Sequence, residues 1–222
     1  MKRSGFVVAA LALALAAGCN KGTTARNDAN NSAAVGTAGR DGGLSNSDRD
    51  FIRDVAAMNA AELDLGRLAS ERASTPEVKK FAEMMVTDHT SAGDKVNAFV
   101  TQHTVDVPAQ LDDNHRDLRE KLSAKQGLDF DKEFADKMVD EHQKLADKLE
   151  SRIDKDTITR AKVEKNNAPD TEVKATAVMP EKSDDPNTQA VNQLAADLYP
   201  SVYAHLQAAK ALRDGVKKRS TN

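Results

Sequence analysis

The sequence has no tryptophan, one cysteine, two tyrosines and six phenylalanines among its 222 residues. A single cysteine excludes an intramolecular disulfide and any metal site built from several cysteines. The formal net charge of -3 comes from interspersed acidic and basic residues. Because no basic stripe stands out, we do not expect nucleic acid as a partner. The sequence also lacks a nucleophile elbow and a phosphate-cradling glycine loop, which leaves nucleophilic catalysis without support.

The start of the chain has the pattern of an export signal. A positively charged beginning is followed by an apolar run at 6–17, which is too short to span a membrane. The letters LAAGC at 15–19 resemble a bacterial lipobox, in which the cysteine is lipidated and becomes the first mature residue. We therefore predict a lipoprotein signal peptide at 1–18 and lipidation of Cys19. The alternative is an ordinary signal peptide with a chance cysteine.

The residue after this cysteine helps to predict the cellular location of the protein. By resemblance to lipoproteins, Asn20 replaces the aspartate that often retains them at the inner membrane. This favours a cell-envelope protein that is anchored to the outer membrane by its lipid and faces the periplasm. Residues 19–46 are mostly small and polar, so we predict a flexible tether there.

Apolar residues recur every three to four positions along most of the remaining chain, which predicts an all-α protein. The period is lost at about 154–186, where we predict a flexible insertion within a bundle that spans 47–216. Pro200 lies inside the last helix and predicts a kink. The predicted helices cover about 48–73, 76–102, 109–125, 129–153 and 187–214.

One stretch of the chain occurs twice, as FAEMMVTDHTSAGDKV at 81–96 and FADKMVDEHQKLADKL at 134–149. The short helix before the second copy is offset from the first helix by the same period, so that Leu118 corresponds to Leu65. A duplicated helical hairpin with one short extra helix is the natural interpretation. Each copy carries a histidine among apolar residues at helical spacing.

Four polar residues occupy core-facing positions near the middle of long helices. They are Glu62, His89, His142 and His205. In an antiparallel bundle, mid-helix residues from different helices can meet at one level. Three imidazoles and one carboxylate form a suitable ligand set for Zn, Mn, Fe or Cu.

Acidic residues next to two of these histidines could support the metal site. Asp88 and Glu141 could accept hydrogen bonds from the metal-binding histidines. The alternative is a metal-free polar cluster in which Glu62 accepts the histidine protons and fixes the helix register. His103 and His115 are interpreted as surface residues.

A di-iron carboxylate centre is disfavoured by the sequence. Bundles of that kind use Glu-x-x-His on two helices. The residues three positions before His89 and His142 are Val86 and Val139, so the motif is absent from both copies.

Six short motifs occur in order along the predicted bundle: ELDLGRLA at 62–69, VKKFA at 78–82, MVTDH at 85–89, FD at 130–131, MVDEH at 138–142 and HL at 205–206. Their order and spacing resemble the bacterial domain-of-unknown-function family 4142. The resemblance covers about 47–216. It implies an exported, often lipid-anchored protein with a ferritin-like antiparallel helical bundle and no agreed activity. The four polar core residues fall on the patterned positions of the family.

The functional expectation is an envelope lipoprotein that binds a transition metal through its core Glu and His residues, with binding favoured over catalysis. Two alternatives stay open. One is a structural or interaction module of the envelope without metal, and the other is a mononuclear metal oxidoreductase. The sequence indicates the membrane as a partner through the lipid and does not identify a protein partner.

Overall fold

The computed structural model describes residues 43–166 and 178–219, and within them the chain forms six α-helices and no β-strand. This confirms the all-α fold class predicted from the apolar period. The helices are α1 (Asn46–Arg72), α2 (Pro76–His103), α3 (Asp113–Ser123), α4 (Gly127–Glu150), α5 (Lys155–Asn166) and α6 (Pro186–Arg219).

Contacts at the helix ends fix the directions of the four long helices. Near the start of α1, Asp48 accepts hydrogen bonds from Arg152, just after α4, at 2.6 Å and from Thr188, at the start of α6, at 2.8 Å. At the opposite end, Asp131 near the start of α4 accepts a bond from the backbone N–H of Thr75, just before α2, at 2.8 Å. The pairs α1–α2, α4–α6, α1–α4 and α2–α6 are therefore antiparallel, whereas α2 and α4 run parallel.

The parallel arrangement of α2 and α4 requires a connection that crosses the length of the bundle. The short α3 lies in this connection and packs against α1 and α4. One long crossover of this kind is the arrangement of ferritin-like bundles. The helix α3 has 11 residues and α4 has 24, so α3 is too short to cover α4. Only Leu122 of α3 is buried. The long partner of α4 is α6.

The bundle begins earlier than the predicted boundary at residue 47. Leu44 is 6% exposed and belongs to the core. Ser45 caps α1, since its Oγ accepts a hydrogen bond from the backbone N–H of Asp48 at 3.1 Å. The predicted tether therefore ends before Leu44. The predicted signal peptide, Cys19 and the rest of the tether lie outside the described residues.

The N-terminus of α2 is capped from another helix. Thr75 occupies the N-cap position, but its hydroxyl makes no capping hydrogen bond. The buried carboxylate of Asp131 takes this role, because it accepts hydrogen bonds from the backbone N–H groups of Ser74 at 2.9 Å and Thr75 at 2.8 Å. The hydroxyl of Ser74 donates a third bond at 2.7 Å. This cap joins the starts of α2 and α4, the two helices that carry the repeated stretch.

A small residue brings α1 close to α2 one turn from the core histidine of α2. A Cβ atom at Gly66 would lie 3.2 Å from the Cβ of Met85, closer than such atoms normally pack. Glycine therefore allows the last third of α1 to approach the seam of α2 without displacing Met85.

The stretch at 154–186, predicted to be flexible, is ordered at both of its ends. The backbone N–H of Asp154 donates to the carbonyl of Met179 at 2.9 Å, and Ile158 in α5 is buried. These contacts anchor the two ends of the stretch to the bundle. The middle of the stretch, 167–177, lies outside the described residues.

The last helix continues across Pro200, where the sequence predicts a kink. A proline at this position removes the hydrogen bond to the carbonyl of Ala196. No helix among the described residues combines the length and the apolar character needed to cross a bilayer.

Candidate metal centre

Three histidines from three helices meet in the core of the bundle. His89 in α2, His142 in α4 and His205 in α6 are 2%, 0% and 3% exposed. One ring nitrogen from each lies within 4.8 Å of those of the other two, and the ring centroids are 5.3 to 5.6 Å apart. The structure thus brings together the three histidines that the sequence places on separate helix seams.

The repeat explains why two of these histidines lie at one level. His89 and His142 are equivalent positions of the doubled stretch, and the helices α2 and α4 run parallel from the same end of the bundle. Equivalent positions on two such helices therefore lie at similar heights. His205 joins them from α6, which packs against both α2 and α4.

The ring of His89 is oriented by an asparagine from α1. The side-chain amide of Asn59 donates to the backbone carbonyl of His89 at 3.0 Å, so its oxygen faces the Nδ1 of the ring at 2.9 Å. That oxygen is an acceptor, so the Nδ1 of His89 carries the proton. The Nε2 of the ring is left with its lone pair.

The other two rings are held in the same manner by different acceptors. The Nδ1 of His142 donates to the carbonyl of Met138 one turn earlier, at 2.8 Å. The Nε2 of His205 donates to the carboxylate of Asp88 at 2.8 Å. Each imidazole therefore has one N–H used by an acceptor and one nitrogen left as a lone pair.

The nitrogens that remain are buried and have no hydrogen-bond partner. They are the Nε2 of His89, the Nε2 of His142 and the Nδ1 of His205. Burial lowers the pKa of His89 to about 2 and that of His142 to about 3. Burial also lowers the pKa of His205, although the bond to Asp88 opposes this shift. All three imidazoles are therefore neutral near neutral pH, and their lone pairs are available to a metal ion.

Glu62 of α1 lies beside two of the histidines and is 1% exposed. Its Oε2 is 3.2 Å from the Nε2 of His89, and its Oε1 is 3.6 Å from the Nδ1 of His142. Neither oxygen has a hydrogen-bond partner among the described residues. Burial raises the pKa of Glu62 well above its ordinary value, and the negative charge of Glu141 adds to the shift. A cation in the cluster would favour the ionised carboxylate.

The two predicted supporting acidic residues have different environments. Asp88 accepts the hydrogen bond of His205 rather than that of the adjacent His89. Glu141 makes no bond to His142 and instead pairs with Lys144 at 2.9 Å and with His115 at 3.4 Å. Consecutive helical residues differ by about 100° around the axis, so Glu141 faces away from the seam.

The two histidines interpreted as surface residues both have partners. The side chain of His115 is 15% exposed and lies between the carboxylates of Asp112 and Glu141, so it is not a free surface residue. His103 stacks on Phe99 with ring centroids 4.2 Å apart. Neither of them belongs to the three-histidine group.

The sequence prediction missed Asn59. It precedes Glu62 by three residues and so lies on the same side of α1. A polar amide on the same side as a core carboxylate was the signal that could have pointed to it. The carbonyl of Met138 had no such signal, because every helical residue offers a backbone carbonyl.

Several solved structures are distantly similar to this chain. They include CopM in the Cu(I)-bound form, with 19% identity and a TM-score of 0.48, and CopM in the Cu(II)-bound form, with 20% identity and a TM-score of 0.49. Both alignments cover 76% of this chain and 96% of that chain. At this distance the likeness transfers neither ligand nor function. No curated protein matches the sequence.

The family comparison agrees with the order of the motifs. Residues 33–178 match the family described as Domain of unknown function (DUF4142). The matched range includes Glu62, His89 and His142, whereas His205 lies beyond it. The resemblance seen in the sequence is thereby confirmed, and the chain belongs to the DUF4142 family.

Proposed function

We propose that this protein binds one transition-metal ion through His89, His142 and His205, with Glu62 as a fourth ligand. The observation that carries this proposal is the position of the proton on each of the three imidazoles. Each donates its only proton to an acceptor outside the cluster and leaves a bare nitrogen in the core. A buried polar atom without a partner costs about 1–3 kcal/mol, and a metal ion would satisfy all three at once.

The metal-free cluster accounts for this geometry less well. It requires Glu62 to accept protons from the histidines, but Asn59 and the carbonyl of Met138 already take the protons of His89 and His142. A protonated Glu62 could donate to the Nε2 of His89, 3.2 Å away. The bare nitrogens of His142 and His205 would still lack partners.

The donor set narrows the class of metal. Imidazole nitrogens suit zinc, copper and iron, whereas manganese prefers carboxylate and water oxygens. Zinc is bound at about 2.0–2.1 Å from each imidazole nitrogen. The ring nitrogens of the three histidines lie up to 4.8 Å from one another, so the rings must move closer together to bind zinc. One ion per chain suits buffering or sensing of a metal better than bulk storage.

The predicted lipid anchor would determine the compartment in which the protein meets metal ions. With a lipid on Cys19, the bundle would be held in the cell envelope and would meet metal ions outside the cytoplasm. Mass spectrometry of the mature wild-type protein and of Cys19→Ser, both isolated from total cell extract, tests the lipid. A wild-type N-terminus without acyl chains would contradict this part of the proposal.

Metal content and thermal stability test the metal-binding proposal. Full-length protein purified without chelator should contain about one ion per chain. Addition of zinc at about 100 times its dissociation constant should stabilise metal-free protein by about 2.7 kcal/mol. For a domain of this size, that corresponds to an increase in melting temperature of roughly 5–10 °C.

Two alanine variants on α2 provide the comparison. His89→Ala should lose both the bound metal and the stabilisation by zinc. His103→Ala should keep both, because His103 stacks on Phe99 outside the cluster. Metal-free wild-type protein whose melting temperature is unchanged by zinc, copper and iron would refute the proposed function.

A further inference from the structure

A surface groove and a smaller, partly open cavity lead to the candidate metal centre from the face between α2 and α6. The groove has a volume of about 500 Å³ and is lined by residues of α2 and α6. The cavity has a volume of about 110 Å³ and is lined by residues of all four long helices, including both His89 and His205. Asp88, Asp197, Ser201 and His205 line both spaces, so the groove and the cavity adjoin.

The shared residues change from exposed to buried along this path. Asp197 and Ser201 are exposed, and the side chain of Asp88 is 42% exposed. The side chain of His205 is 4% exposed, and its Nδ1 is buried without a partner. A cation on this path would meet carboxylates at the surface and a bare imidazole nitrogen inside.

Small side chains on α6 leave room for the groove. Pro200 lines it and has no N–H to offer the helix, and Ala204 and Ala208 follow along α6 with side chains of one carbon. Bulky residues at these positions would fill the space between α2 and α6. The opening therefore coincides with small residues on one side of α6.

A second opening, between α1 and α2, is less suited to metal access. It has a volume of about 200 Å³, is lined by α1 and α2 alone and includes Asp94 near its surface. It approaches His89 beside Asn59, which already bonds the Nδ1 of that ring. This opening therefore leads toward the nitrogen that carries a proton.

We infer that metal ions reach the three-histidine centre through the groove between α2 and α6, where Asp197 and Asp88 attract the cation and Ser201 lines the passage. This inference rests on the proposed metal-binding function. Carboxylates beside a narrow opening raise the local cation concentration and the rate of association. The exposed Lys95 also lines the cavity, and its positive charge opposes this attraction.

The rate of metal uptake tests the route. Metal-free full-length protein is mixed rapidly with Co²⁺, and its visible absorption follows association, while a chelator chase gives dissociation. Asp197→Asn should slow association at least about threefold at low ionic strength, and the difference should shrink in about 1 M salt. Ser201→Leu, which narrows the passage, should slow association and dissociation in the same proportion and leave the dissociation constant unchanged.

The matched control lies in the other opening. Asp94→Asn removes the same charge beside the α1–α2 groove and should leave the rate of association unchanged. If Asp94→Asn slows uptake while Asp197→Asn and Ser201→Leu do not, the inferred route is wrong, although the metal site stands. If the wild-type protein binds none of Co²⁺, Zn²⁺, copper and iron at equilibrium, the proposed function itself fails and the route with it.

Discussion

The carboxylate of Asp88 in α2 accepts a hydrogen bond from the Nε2 of His205 in α6 at 2.8 Å, although the two residues are 117 positions apart. This bond fixes the proton on the outer nitrogen of the ring, so the Nδ1 is left as a lone pair in the core. It also joins two neighbouring helices at the level of the candidate centre. Asp88 is therefore a positioning residue for His205.

Asp88→Asn should weaken Zn²⁺ binding about 10- to 100-fold. An asparagine oxygen can still accept the hydrogen bond, but it lacks the negative charge that raises the basicity of the imidazole. Equilibrium competition with a chromophoric chelator measures this effect apart from any change in the rate of uptake. Asp94→Asn, also on α2, should keep wild-type affinity, and equal affinities for all three proteins would contradict the role of Asp88.

Glu62→Gln should separate metal binding from helix packing. The metal-free protein should change its free energy of unfolding by less than about 1 kcal/mol, because the glutamine is neutral and of similar shape and the Glu62 oxygens make no hydrogen bond. Affinity for Zn²⁺ should fall at least about tenfold, since an amide is a weaker ligand than a carboxylate. Urea unfolding and chelator competition measure the two quantities. A large loss of stability without metal would instead support a cluster that fixes the helix register.

The helical period and the internal repeat predicted much of this architecture. Apolar residues at three- and four-residue steps define the long helices, and the repeat places His89 and His142 at equivalent positions. The helix directions were not predictable in this way, because they depend on end contacts such as that between Asp131 and Thr75. Periodicity identifies the buried face of a helix and carries no information about its neighbours.

The partners of the histidines were harder to predict than the histidines themselves. Asp88 was predicted to accept a hydrogen bond from a core histidine, and the one it bonds is His205 on another helix rather than its chain neighbour His89. Glu141 was expected near His142, but α3 brings His115 to it. Which nitrogen of an imidazole carries the proton depends on these tertiary contacts, so the bare nitrogens appear only in the folded structure.

Asp48 should make the protein sensitive to acid. Burial alone would raise the pKa of Asp48, but hydrogen bonds from Ser45, Thr188 and Arg152 outweigh burial and hold it below the ordinary value. The folded state thus favours the carboxylate, and the stability it contributes is present above the unfolded pKa of about 3.9 and lost as pH falls through the lower folded value. Asp48→Asn should cost about 3 kcal/mol near neutral pH.

The difference between wild type and Asp48→Asn in urea unfolding should shrink when the pH is lowered from about 7 to about 3. Asp50→Asn is the control on the same helix. Its exposed pair with Arg53 should contribute less than about 1 kcal/mol at either pH. A difference for Asp48→Asn that stays constant with pH would show that its ionisation is not linked to folding.

The cap of α2 by Asp131 leads to a prediction that sequence rules alone would reverse. At an N-cap, Thr→Ala usually costs about 1 kcal/mol, but the hydroxyl of Thr75 makes no hydrogen bond. Thr75→Ala should therefore change the free energy of unfolding by less than about 0.5 kcal/mol. Asp131→Asn should cost about 3 kcal/mol, because an amide cannot accept all three bonds from Ser74 and Thr75 and leaves at least one of the two backbone N–H groups unpaired. Urea unfolding of the two variants decides the matter, and a larger loss for Thr75→Ala than for Asp131→Asn would contradict the capping role of Asp131.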